Sequence, residues 1–89
     1  MLKDKQTKRF KKDYDRVKKR GKDIEKLKRI IDMLLDESPL PPERRDHPLT
    51  GDLAGFRNCH IEPDWVLIYA VQGDDLILFR TGSHADILE

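Results

Sequence analysis

The sequence predicts a small α+β domain, and three observations carry that reading. Apolar residues recur at helical spacing between positions 8 and 37, the period shifts toward two from position 55 onward, and a proline-rich stretch separates the two regimes. A chain of 89 residues has room for one hydrophobic core, so a single domain over 1–89 is expected.

Met1 to Gln6 can form a short first strand, with Leu2 its one sure apolar residue. Thr7 then offers an N-cap for a helix from Lys8 to Arg20, where Phe10, Tyr14 and Val17 fall on one face and Gly21 supplies the stop. A second helix starts from Asp23 as cap and runs to about Glu37, with Ile24, Leu27, Ile30, Ile31, Leu34 and Leu35 on one broad stripe. Ser38 to Asp46 carries prolines at 39, 41 and 42 and reads as an ordered loop. Gly55 to Glu62, Trp65 to Val71 and Asp75 to Thr81 then read as three strands, with turns at Pro63-Asp64 and Gln72-Gly73-Asp74. Such short connections make an antiparallel meander. The helical pair is expected to cover one face of the sheet and leave the other open.

Composition narrows the class. The longest apolar run, Trp65 to Val71, is far shorter than the roughly 20 residues that span a bilayer. The N-terminus alternates Lys, Asp, Gln and Arg where a signal peptide needs an apolar core, and Cys59 has no partner for an internal disulfide, so a cytoplasmic setting without membrane contact is expected. The net charge of +1 hides a polarity. Residues 1–38 hold 14 Lys or Arg against 8 Asp or Glu, whereas residues 39–89 hold 4 against 9. Charges are felt over about 8 Å at physiological salt, so the basic half attracts polyanions despite the near-neutral total.

The three histidines, His47, His60 and His84, all lie in the acidic, strand-rich half. In a meander the end of the first strand, the start of the second and the end of the third share one edge, which would gather His60, Asp64, Trp65, Arg80 and His84. His47 joins them only if its loop folds back. Imidazoles titrate near pH ~6.5, so one can accept a proton while another donates it. Metal-free RNA cleavage needs such a pair and a cation on the phosphate, a role for which the planar guanidinium of Arg80 is suited. Trp65 can stack on an unpaired base, or pack into the sheet. Arg80 can equally pair with Asp64 or Glu62, and the helical lysines can be a solvated face. Cys59 alternates away from His60 and reads as a core residue.

Several segments together resemble a known family. Asp46-His47-Pro48-Leu49, Gly55-Phe56-Arg57, His60-Ile61-Glu62-Pro63-Asp64-Trp65 and Arg80-Thr81-Gly82-Ser83-His84 are similar to the YafQ branch of the RelE/ParE superfamily of bacterial toxins from type II toxin–antitoxin systems. The resemblance implies a RelE-like fold, with two N-terminal helices on a small antiparallel sheet and a short C-terminal strand or helix. It also implies a ribosome-dependent mRNA endoribonuclease that cuts in the A site and leaves a 2′,3′-cyclic phosphate. The catalytic set it implies is His47, His60, Asp64, Arg80 and His84. His84 is then the general acid, and the base is His47, His60 or Asp64. Trp65, Arg57 and the helical Lys11, Lys12, Lys18 and Lys19 are expected to contact RNA. No cofactor is expected beyond the ribosome as assembly partner. A DinJ-like antitoxin is the implied protein partner, and operator DNA would be reached only through it. The family pattern ends in an aromatic residue where this chain has Leu88, which puts base stacking there in doubt.

Other classes stay open. Some relatives of the same fold poison DNA gyrase by binding, without a histidine-rich edge, and a plain RNA-binding module would need no turnover. A zinc site could draw on His47, His60, His84 and Asp64 or Cys59, but the close paired ligand spacings of such sites are missing.

Overall fold

The computed structural model describes residues 1–87. In chain order the elements are β1 (Lys3–Gln6), α1 (Lys8–Lys19), α2 (Ile24–Leu35), a 3₁₀ turn (Pro42–Arg44), β2 (His47–Pro48), a second 3₁₀ turn (Gly51–Leu53), β3 (Arg57–Glu62), β4 (Trp65–Gln72), β5 (Asp75–Gly82) and α3 (His84–Ile87). The five strands form one sheet in the order β1-β5-β4-β3-β2. The expected meander of β3, β4 and β5 is antiparallel throughout. β1, however, pairs parallel to β5, so the sheet is mixed rather than purely antiparallel.

Local chemistry explains the helix limits. Thr7 Oγ1 accepts from the Phe10 amide at 3.0 Å and donates to the Phe79 carbonyl at 2.8 Å, so one hydroxyl both caps α1 and ties it to β5. At the other end Gly21 takes φ +81°, and the amides of Gly21 and Lys22 return to the carbonyls of Lys18 and Val17. This is a Schellman closure, for which glycine is the natural residue. α2 ends the same way without a glycine. Glu37 adopts φ +57°, and the amides of Glu37 and Ser38 bond to Leu34 and Met33. The helix therefore stops two residues before the position expected from its apolar stripe.

Both helices lie on one face of the sheet. Phe10 and Val17 of α1 and Leu27, Ile30, Ile31 and Leu34 of α2 pack with Cys59, Ile61, Trp65, Leu67, Tyr69, Leu76 and Leu78. Each fully enclosed Leu or Phe stabilises the fold by about 1.5–3 kcal/mol, well above what an exposed ion pair contributes, so this interface sets the architecture. The opposite face is less open than expected. Val66, Ile68 and Ala70 alternate onto it and are also inaccessible. By the same alternation Phe56 shares that side, and Phe79 meets it at a centroid distance of 4.8 Å. The loop after β2 folds back to bring Phe56 there, with the Leu49 amide bonded to the Phe56 carbonyl.

Glu37 gives a direct check on the helix end. Left-handed backbone costs an L residue roughly 1–2 kcal/mol, part of which glycine returns to the unfolded chain as entropy. Glu37→Gly is expected to stabilise the protein by about 0.5–1 kcal/mol, read as a rise of a few degrees in Tm.

Candidate active site

Strand register decides which side chains can meet. His47 pairs with Asn58, Asn58 with Ile68 and Ile68 with Arg80, a row that crosses four strands. The next row runs from His60 through Val66 to Gly82. Directly paired residues share a face, so His47, His60 and Arg80 all start from the side away from the helices. With strands about 4.8 Å apart and a rise of about 3.4 Å per residue, the His60 backbone lies roughly 8 Å from His47 and 12 Å from Arg80. The loop does fold back as His47 requires, through the two-residue strand β2. Asp46 anchors it by accepting from Arg57 Nε at 3.0 Å and from the Tyr69 hydroxyl at 2.6 Å.

The imidazoles are individually oriented. His60 Nδ1 lies 3.2 Å from the Pro63 carbonyl and His47 Nδ1 lies 2.6 Å from the Arg45 carbonyl. A carbonyl can only accept, so each Nδ1 carries the proton, and in the neutral ring each Nε2 presents a lone pair. Arg45 holds its carbonyl in place from a left-handed backbone, φ +49°. His84 differs: its Nδ1 faces a carboxylate oxygen of Asp64 at 3.3 Å, an ion pair when the ring is protonated. The His60 and His84 rings stand 5.4 Å apart, centroid to centroid. One ring beside a carbonyl and one beside a carboxylate thus share the edge, an arrangement suited to accepting a proton at one nitrogen and donating it at another.

Arg80 reaches this face through a β-bulge. Tyr69 pairs with Leu78 and Ile68 with Arg80, so β5 holds one extra residue, Phe79. Without it Arg80 would sit opposite Leu67 and point among the helices. Neither Asp64 nor Glu62 is its partner. Beyond Gln6, where β1 stops, Asp13 of α1 takes over the β5 edge: its carboxylate accepts from Arg80 Nε at 2.7 Å, Arg80 Nη2 at 3.2 Å, the Thr81 amide at 3.2 Å and Arg16 Nη2 at 2.7 Å. These bonds raise the pKa of the Arg80 guanidinium further above its ordinary value and fix its plane. Asp13, 2% exposed, was not among the candidates because one acid on a charged helix carries no distinguishing signal. Asn58 was also missed. It is equally buried, lies between His47 and Ile68, and its Oδ1 has no hydrogen-bond partner.

Other expected contacts fall elsewhere. Trp65 is fully buried among the helices, and its Nε1 donates to Thr81 Oγ1 at 2.9 Å, so it cannot stack on a base. Arg57 faces the helix side with its pairing partner Tyr69 and holds Asp46. Its three-residue offset from His60 already put it on the opposite face, a signal legible in the sequence. Glu62 is engaged by Lys26 at 2.9 Å and Lys22 at 3.5 Å, which hold its carboxyl below its usual range. Cys59 is a core residue, as its alternation implied: it pairs with Leu67 on the helix side of the sheet, away from His60, and burial pushes its thiol up to about 12. Among the described residues no group of three or more His, Cys, Asp or Glu is placed to hold a metal ion. Lys11, Lys12, Lys18 and Lys19 are all exposed, yet they divide into two faces. Lys12 and Lys19 line a shallow depression with Arg16 and Arg20, whereas Lys11 and Lys18 lie roughly 100° around the helix. Leu88 lies outside the described residues.

Known proteins resemble this chain along most or all of its length. The family model described as the bacterial toxin of a type II toxin–antitoxin system, YafQ, matches residues 2–89. The mRNA interferase toxin YafQ of Escherichia coli K12 is 44% identical over 77 residues, which cover 85% of this chain and 84% of that protein. In the crystal structure of the E. coli DinJ–YafQ complex, a chain 38% identical superposes with a TM-score of 0.93 over 100% of both chains. A copper-bound mutant toxin from Helicobacter pylori, 44% identical, gives a TM-score of 0.94 over 98% of this chain and 99% of that one. A match from end to end in sequence and in fold makes this chain a member of the YafQ family of type II toxin–antitoxin toxins.

Proposed function

We propose that this toxin is a metal-independent endoribonuclease that cleaves mRNA on the ribosome. The observation that carries the reading is the pairing of His60, whose Nε2 is left as an acceptor, with His84 against Asp64 on one edge. In the proposed step His60 takes the proton of the ribose 2′-OH, and the 2′-oxygen attacks phosphorus. The bond to the 5′-oxygen breaks as His84 gives that oxygen its proton. The products are a 2′,3′-cyclic phosphate and a 5′-hydroxyl. Arg80, held by Asp13, steadies charge on the phosphate. His47 presents a second Nε2 acceptor on the same face and fits the neighbouring ribose or base. Asp64 serves the acid, which favours a histidine over Asp64 as the base.

The name of the E. coli relative, an mRNA interferase, supports this activity. The complex of another relative with DinJ supports a DinJ-like antitoxin as the neutralising partner, with operator DNA contacted through that antitoxin. The ribosome supplies the RNA surface that the cationic side of α1 fits, and a cytoplasmic location follows from that substrate. Among the described residues no helix is long and apolar enough to cross a membrane.

Cleavage on programmed ribosomes tests the reading. His84→Ala is expected to slow single-turnover cleavage by roughly 10²- to 10⁴-fold, about 3–5 kcal/mol of barrier, with folding intact. A 2′-deoxy nucleotide at the cut site should resist the wild-type protein; cleavage there would contradict the mechanism, and RNA binding without any cyclic-phosphate product would favour a binding module. The lysine faces give a second test. Replacing Lys12 and Lys19 by Ala should weaken ribosome binding and flatten its log–log salt dependence by about 1.5, whereas the Lys11 and Lys18 pair should change it by much less.

A further inference from the structure

The position of the His84 ring is not explained by its own contacts. Among the described residues its one hydrogen-bonding partner is Asp64, and the two side chains are 46% and 77% exposed, a class of pair too weak to hold a ring in place. The helix that carries it, His84–Ile87, has four residues, too few to be stable alone. Something else must order this turn.

Asp86 is the group that does. Its Oδ2 accepts from the Ser83 amide at 3.1 Å, while its own amide donates to Ser83 Oγ at 3.2 Å, a reciprocal capping box around the residue that follows Ser83. The same carboxylate accepts from Arg20 Nη1 at 2.8 Å and lies 3.9 Å from Arg16 Nη2, so the box is fastened to α1 and to the residue that caps its C-terminus, one turn apart. It closes over Gly82, where a Cβ would meet Asp86 Oδ2 at 3.1 Å and Arg16 Nη2 at 3.2 Å. A side chain there would push on the pair by a few tenths of an ångström and would strain a backbone at φ +154°. Arg16 also bonds to Asp13, which connects the box to the group that holds Arg80.

We propose that Asp86 is the positioning residue for His84: through the Ser83 box and the Arg20 pair it fixes the first turn of α3 and so holds the imidazole at the edge shared with His60. The inference rests on the reading of His84 as proton donor, but it concerns geometry and can be tested apart from it. Arg20 and the Ser83 groups hold the Asp86 carboxyl well below the usual carboxylate range, so the box stays charged across the pH span in which imidazoles titrate.

The test follows the His84 ring by NMR in the full chain, through its carbon-bound proton signals and their nuclear Overhauser effects to His60, beside single-turnover cleavage on programmed ribosomes. Asp86→Ala should broaden or shift the His84 signals, lose the effects to His60, and slow single-turnover cleavage at saturating ribosome by roughly 10- to 100-fold. Asp86→Glu, which can form the commoner version of the same box, should restore both within about 3-fold. Unmoved ring signals in Asp86→Ala overturn the proposal whatever the rate does. A displaced ring with full cleavage supports the positioning and instead removes His84 from the chemistry. Should Asp86→Ala fail to fold, Arg20→Ala on an exposed side chain carries the same decision: a displaced ring supports the proposal and an unmoved one overturns it.

Discussion

The buried carboxylate of Asp13 is the constraint on which the functional edge depends. A carboxylate removed from water is costly unless its oxygens are satisfied, and here four donors from Arg16, Arg80 and Thr81 converge on it. The site exists because β1 is short. Once that strand ends opposite Leu78, the outer edge of β5 needs a new partner, and α1 supplies one from its buried face. The exchange of a strand for a carboxylate leaves a guanidinium fixed at the sheet edge. Through Arg16 the same group connects with Asp86, and from there with the turn that bears His84.

The order of elements was legible because each has a local cause. Periodicity, the Thr7 and Asp23 caps and the Gly21 stop define the helices, and short turns define the meander. What escaped has no local signature. The Schellman closure at Glu37 uses a residue that carries no such signal, and the bulge at Phe79 is a register event between two strands that look regular in isolation. β4 is apolar on both faces, so alternation alone could not say whether Trp65 faces solvent or helices. His47 could be placed only once the two-residue pairing of β2 with β3 was known. The grouping of His60, Asp64 and His84 was readable from meander geometry, whereas their hydrogen-bond roles were not, since these depend on the Pro63 carbonyl and the exposed Asp64 carboxylate.

A division of labour results. The hydrophobic interface between helices and sheet supplies stability, and the opposite side of the same sheet carries the side chains of the proposed chemistry. Carbonyls of Arg45 and Pro63 orient two rings as acceptors, and a carboxylate sits beside the third. In this scheme groups of the chain itself set the proton positions. The backbone does so, helped by a left-handed residue at Arg45 and a proline turn after His60. The cationic side of α1 adjoins this edge through Arg16 and Arg20, so in the proposed mechanism phosphate attraction and proton transfer fall to neighbouring parts of one surface.

The central claim is that His84 delivers the proton to the departing 5′-oxygen. It is tested most directly with an mRNA whose scissile phosphate carries a bridging 5′-sulfur, a leaving group that needs no protonation. His84→Ala should cleave this RNA at close to the wild-type rate while remaining severely impaired on the oxygen substrate. An equal defect on both would contradict the assignment.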